Sequence, residues 1–396
     1  MKIGVYFRET DPQAGGSFTF ESSLVETLIS KDFSTPHDIA FLGPEGELLE
    51  RARRSGYAVT SIPTRLVGRL TMKAHAMLGQ LRARTRTLSA GMMGNSLETL
   101  VRDSQIDVLW SLEPVVPSME IPYWVTVWDL QHRKQPWFPE VSEGQVWKRR
   151  EDHYSQVLRR ATRVIVGNAA GRSELELFYQ VPPERIVCAP QPVPRWVHQV
   201  DESPVENLPF EHFVLYPARF WPHKNHVALL EAMRLLEEEG ENIGLVLVGS
   251  DAGNLAYTQR VIMELNLTHR VRIEGFVERE QLAYLYRHAL AVAYVSLFGP
   301  ENLPPLESFA FGTPVIAGNV DGAAEQFGEA ALLVDPTDPR DIAQAIRSIY
   351  TDEETRRRLV ADGHRIAEQR TTKRFIETVL CSIDEFEAIR SCWPGS

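Results

Sequence analysis

Arg219 and Lys224 stand on a loop between an apolar run, Phe213 to Tyr216, and a helical run from about Val227 to Glu238. Two cations on a strand-to-helix loop can neutralise a diphosphate, the Arg as a planar fork and the Lys as a point charge. A second group lies at Leu297 to Gly318, where Gly299 and Pro300 break a strand and Pro304 and Pro305 suit the first turn of a helix. That leaves the N–H groups of Asn302, Leu303, Leu306 and Glu307 nearest an anion at the helix start. Glu307 is expected in the first turn, where its carboxylate can accept two hydrogen bonds from a ribose diol or simply complement the helix dipole. Gly15 and Gly16 follow a strand, Lys2 to Phe7, and precede a helix from about Phe18 to Leu28. Strand, glycine turn, helix is a phosphate-cradling layout, although a glycine pair also serves as a plain flexible turn. Past the strand Trp124 to Val127 comes a polar cluster with Asp129, His132, Arg133 and Lys134, then Phe138, Pro139 and Glu140. Parallel sheets place ligand contacts at such carboxyl ends; a histidine there can equally be a structural donor.

The segment LFGPENLPPLESFAFGTPVIAGNVDGAAEQFGEAALLVDPTDP resembles the signature of the sucrose-synthase-like family of retaining glycosyltransferases, family 4. The family pattern is roughly E-G-F-G-L-P-x-L-E followed by a G-x-P-V strand. Leu303, Pro304, Leu306, Glu307, Gly312, Pro314 and Val315 match it in register; Gly299 stands at the first acidic position and Glu301 at the aromatic one. Arg219 and Lys224 keep the spacing of the family's G-R-hydrophobic-x-x-x-K-N, and DLQH with FPE resembles a segment found in mannosyltransferase-like members, with Trp128 where those have histidine. The resemblance covers most of residues 160–350 and is patchier before that.

The resemblance implies an α/β protein of the GT-B fold: two facing Rossmann-like domains with parallel sheets and a C-terminal crossover helix. It implies a nucleotide diphosphate sugar as donor, with mannose the suggested sugar, and a glycan or lipid-linked acceptor. Donor contacts would come from Gly15, Gly16, Arg219, Lys224, Gly249, Phe276, Val277, Asn302, Leu303 and Glu307, with Phe276 and Val277 against the base and Glu307 on the ribose. Arg219, Lys224, Asp129, His132 and Glu301 are the catalytic candidates, Glu301 and His132 as replacements for the residues missing at Gly299 and Trp128. Chemistry on the donor's front face needs no protein nucleophile, and the sequence has no D-x-D motif, so no metal or other cofactor is expected. A GT-B epimerase, a phosphorylase (for which no pyridoxal lysine is marked) and a non-catalytic nucleotide-sugar-binding subunit remain open.

The elements that must position these residues set the domain plan. The 396 residues suffice for two cores. The expected division is an acceptor domain over 1–195, a donor domain over 196–372 and a returning helix over 373–396, with the proline-bearing stretch Pro190 to Pro209 as linker. A formal net charge of −11 argues against a general nucleic-acid binder. The cysteines Cys188, Cys381 and Cys392 form neither a disulfide framework nor a zinc pattern and suit a reducing cytoplasm. MKIGVYFRET reads as a strand rather than a signal peptide, and no apolar run is long enough to span a bilayer. From Arg51 to Leu97 there is no Asp or Glu. Arg65, Arg69 and Lys73 form a stripe beside Leu66, Leu70, Met77 and Leu81, so 65–86 reads either as a packed helix with a solvated basic face or as a peripheral contact to the inner face of the membrane.

Overall fold

The computed structural model describes residues 1–8, 11, 15–62, 97–299 and 301–393. The expected basic helix over 65–86 lies outside these residues; the described start of the acid-free interval, Arg51, Arg53 and Arg54, pairs with Glu26, Glu45, Glu47 and Glu50.

Short runs rich in Val, Ile and aromatic residues form two fully parallel sheets, the pattern of strands buried on both faces. The first has seven strands in the order β3-β2-β1-β4-β5-β6-β7: β1 Lys2–Tyr6, β2 Asp38–Gly43, β3 Ala58–Ser61, β4 Val108–Ser111, β5 Tyr123–Thr126, β6 Arg163–Val166 and β7 Ile186–Cys188. The second has six in the order β10-β9-β8-β11-β12-β13: β8 Phe213–Pro217, β9 Gly244–Val248, β10 Val271–Gly275, β11 Ala291–Tyr294, β12 Val315–Gly318 and β13 Ala331–Val334. In each sheet the strand order reverses once, between β1 and β4 and between β8 and β11. Such a switch point opens a crevice beyond the carboxyl ends of the strands, where open α/β sheets take ligands.

Helices cover both faces. Residues Val193, Trp196, Val197 and Val205 pack into a core cluster of the second sheet with Val248, Tyr286 and Phe309. The last helix, Thr372–Arg390, returns to the first sheet, as the fold class requires. Phe375, Ile376, Val379, Ile383 and Phe386 join Val5, Leu24, Trp110 and Trp124 in one cluster. The crossover is also tied by polar bonds: Trp124 Nε1 donates to Ser382 Oγ at 2.8 Å, and the Thr27 and Thr372 hydroxyls lie 2.7 Å apart. Buried Trp and Thr groups without such partners would cost more than the bonds contribute.

Candidate active site

Loops after β8, β9, β10 and β11 of the second sheet meet loops after β1 and β5 of the first. After β8 the chain passes Arg219 and forms a single 3-10 turn, Pro222–Lys224, ended by Asn225 in the left-handed region at φ +57°. Asn225 tolerates that conformation, and its amide donates to the carbonyls of Val295 at 3.2 Å and Pro336 at 2.6 Å, fixing the loop against the end of β11. Lys224 Nζ donates to the Tyr294 hydroxyl at 2.7 Å and sits over that ring. Arg219 Nε donates to Ser250 Oγ at 3.0 Å, and its guanidinium lies over Trp221. Gly249 allows this approach, since a Cβ there would fall 2.3 Å from the Ala218 carbonyl oxygen.

The glycine turn of the first domain lies opposite. Gly15 has φ +78° and caps the helix Gly16–Leu28; a Cβ there would be 4.0 Å from Arg219 Cδ, and one on Gly16 would be 3.7 Å from Leu303 Cδ1. The structure thus brings Gly15, Gly16, Arg219 and Leu303 together across the crevice. Burial lowers the Lys224 ammonium to about 8, against the opposing charges of Asp129 and Glu140 from the first domain. Asp129 accepts from Arg150 at 2.6 Å and from the Gln131 N–H at 3.0 Å. Burial raises its carboxyl, but the Arg150 charge and these bonds leave it below the usual carboxylate range. Phe276 follows β10 with its ring half exposed, Val277 beside it is partly buried, and Gly249 N–H donates to Gly275 at 2.7 Å.

Four expectations are corrected. Glu307 is not in the first turn of its helix, Leu303–Phe311, and it is buried: Oε1 accepts from Trp196 Nε1 at 3.3 Å and Oε2 from the Tyr286 hydroxyl at 2.7 Å. Burial raises its pKa, opposed by those two bonds. The Asn302 N–H is not free for an anion, because Gln326 Oε1 accepts it at 3.1 Å while Gln326 Nε2 donates to the Asn302 carbonyl at 2.8 Å. Glu301 does not face Lys224. Its buried carboxylate accepts from Arg370 at 2.6 Å and from the Gln191 N–H at 2.8 Å, packed over Gly167 where no Cβ would fit. His132 has no exposed surface; Nε2 lies 3.0 Å from the Tyr179 hydroxyl, its ring packs near Trp147 and Tyr154, and burial lowers it to about 4. It is a core histidine and touches no crevice. Gly299 itself is locked as glycine by φ +116° and by the Asn302 side chain, which a Cβ would meet at 2.9 Å. A glutamate there requires a different loop.

Sequence reasoning missed the residues that join the domains. Glu140 accepts from the His223 N–H at 3.0 Å and pairs with His223 Nδ1, and the His223 ring stacks on Phe298 at 3.8 Å. Glu140 belongs to the FPE stretch and His223 directly precedes Lys224, but nothing in one sequence shows that they meet. The hollows elsewhere do not mark the chemistry. A cavity of ≈ 20 Å³ beside Trp128, Asp129 and Glu301 fits a water-sized group only. A hollow of ≈ 620 Å³ lies at the far, amino-terminal ends of β11 and β12, beside His212, Leu290, Pro314 and His364.

Two facing Rossmann-like sheets, a returning last helix and a crevice between the strand ends define the GT-B class. Solved structures agree over nearly the whole chain: sucrose-phosphate synthase from Thermosynechococcus elongatus at TM-score 0.72 and 21% identity, covering 98% of this chain and 99% of that one. The Anabaena protein Alr3699/HepE, solved with UDP and glucose, aligns at TM-score 0.67 and 17% identity, covering 97% of this chain and 99% of that one. Residues 201–365, which span most of the second domain, match the family model "Glycosyl transferases group 1". The O-antigen chain mannosyltransferase B of Escherichia coli is 30% identical over 212 residues, 50% of this chain and 54% of that protein. The chain thus spans about half the length of the curated relatives it matches.

Proposed function

We propose that the protein is a retaining, metal-independent hexosyltransferase that moves a sugar, with mannose the first candidate, from a nucleotide diphosphate sugar to a glycan or lipid-linked acceptor. The observation that carries this reading is the meeting of Gly15 and Gly16 with Arg219 and Leu303 across the crevice, with Lys224 on the same loop as Arg219. Negative charge develops on the leaving diphosphate as the glycosidic bond breaks, and fixed cations in a closed crevice stabilise it without reorganising. Phe276 and Val277 would hold the base, Glu307 the ribose and Leu303 the phosphates. Asp129, paired with Arg150 and facing Lys224, remains on the acceptor side of the reaction centre. The mannosyltransferase relative supports the choice of sugar, and the neighbour solved with UDP supports a nucleotide donor.

A test is transfer of radiolabel from GDP-mannose and UDP-glucose to glycan and lipid acceptors, with and without EDTA. Transfer that survives EDTA is expected. A second reading, a non-catalytic nucleotide-sugar-binding subunit, is favoured by Gly299 and by the engagement of Glu301; it predicts nucleotide binding with no transfer to any acceptor. Among the described residues no helix is long and apolar enough to cross a membrane. Contact of 65–86 with a bilayer would be peripheral, as expected of an enzyme working on lipid-linked substrates at the inner face of the cytoplasmic membrane.

A further inference from the structure

The turn between Gln135 and Phe138 is pinned at both ends to the second domain. Gln135 Nε2 donates to the Leu297 carbonyl at 3.0 Å, and Lys134 pairs with Asp321. Phe138 inserts edge-on against Phe298 at 5.3 Å and against His223 at 6.3 Å, and Glu140 binds His223. The turn is closed by Phe138 N–H donating to Gln135. Trp137 lies between these anchors and does the opposite of Phe138: its side chain is 69% exposed. Large aromatic side chains normally bury most of their area or find a partner. This one has a tilted ring contact with Phe138 at 6.4 Å between centroids, and an ordered backbone holds the rest of the indole out beside the residues that bridge the domains.

We infer that Trp137 is a stacking platform for a pyranose ring of the acceptor. The inference rests on the transferase reading above and narrows its acceptor to a sugar. A pyranose presents an apolar C–H face bordered by hydroxyls. The electron-rich face of the indole attracts those C–H groups, and a rigid two-torsion side chain on a fixed turn loses little freedom on binding. The polar neighbours in sequence are engaged elsewhere, Lys134 with Glu174 and Asp321, Gln135 with Leu297 and the buried Glu140 with His223, so the indole face is what this turn leaves open to a ligand. An acyl chain or a second copy of the protein would call for a contiguous apolar patch, whereas the exposed Leu177, Tyr257 and Met263 are on helices elsewhere in the chain.

The test uses the full chain saturated with GDP or UDP, whichever binds, in wild-type, Trp137→Phe and Trp137→Ala forms. Each is titrated with α-1,3-mannobiose, with sorbitol as an open-chain control, and followed by tryptophan fluorescence and by saturation-transfer NMR. Wild type should bind the disaccharide and not sorbitol. Trp137→Ala should lose about tenfold or more of that affinity, Trp137→Phe should keep part of it, and nucleotide affinity should be equal in all three. Equal disaccharide affinity in wild type and Trp137→Ala, or a nucleotide-loaded wild type that binds no disaccharide, overturns the platform while leaving the transferase reading standing. Loss of nucleotide binding by wild type instead sinks the transferase reading and the platform with it. Self-association or vesicle binding that disappears in Trp137→Ala, without disaccharide binding, assigns the surface to those partners and also overturns the inference.

Discussion

At Lys224 the structure sets an ammonium at about 8 where the free side chain would titrate above 10, chiefly through burial. A bound diphosphate favours the charged form and must pull that value back up. Binding a nucleoside diphosphate between about pH 8 and 10 should therefore take up a proton, and affinity should fall as pH rises through that window. Calorimetry in two buffers of different ionisation enthalpy measures the uptake, which Lys224→Arg should abolish. Lys224→Ala should weaken nucleoside diphosphate binding by about 1.5–3 kcal/mol, the range for a charged hydrogen bond, with nucleoside binding unchanged. Equal losses for both ligands would falsify the diphosphate role. Glu307 is a second residue-scale case. Its oxygens already serve Trp196 and Tyr286, yet each retains a further lone pair. Glu307→Gln should lower affinity for the ribonucleotide and hardly alter that for its 2′-deoxy analogue; identical losses would make the carboxylate purely structural.

Among elements, the strands were legible because buried parallel strands write themselves as short apolar runs. Lys2 to Phe7, Phe213 to Tyr216 and Trp124 to Val127 fall on β1, β8 and β5, with Phe7 and Val127 one residue past the strand ends. The loop cations Arg219 and Lys224 were legible because the strand and helix flanking them are local. Glu301 and His132 were misread for a common reason. Their partners Arg370, Gln191 and Tyr179 are distant in sequence, and only the fold says that those partners consume them. Gln326 is the clearest gap, since a buried amide on the short helix Ala323–Phe327 holds both backbone groups of Asn302. Gln326→Ala leaves those groups without their partner. It should cost about 2–3 kcal/mol, the penalty for stranding buried polar groups, read as a lowered urea midpoint. It should also weaken nucleotide binding, because Asn302 caps the helix that carries Leu303 and Glu307. An unchanged midpoint would show that Asn302 finds other partners.

Buried polar groups, within the domains and at Glu140 and His223 between them, make the stability of the whole molecule depend on acid and on one buried ion pair. Burial keeps His132 and His223 neutral down to about 4 and His226 down to about 3. In the unfolded chain each takes up a proton below about 6.5. Stability is thus fully present above that pH and is lost as pH falls from about 6.5 towards 4. The slope reaches at most about 4 kcal/mol per pH unit for three protons. His226→Phe, which keeps the stack on Phe220, should flatten the slope by about a third. The ion pair is Glu301 with Arg370. Arg370 ends the helix before the crossover, its carbonyl accepts from the Val193 N–H of the linker at 2.7 Å, and Glu301 accepts from Gln191 in the same linker. The loop that carries Glu301 is thereby tied at one point to both interdomain connections. Removing one partner of a buried pair strands the other charge and costs about 3–5 kcal/mol, whereas replacing both by apolar groups is often neutral. Arg370→Ala should therefore destabilise strongly, and Glu301→Leu with Arg370→Met should recover most of the loss. Loss of the tie itself should separate the domains: the double variant should show two calorimetric transitions where wild type shows one, and a larger radius of gyration by small-angle scattering in the absence of nucleotide. A double variant with a single transition and an unchanged radius would mean that Glu140, His223 and the crossover helix hold the domains together without the pair.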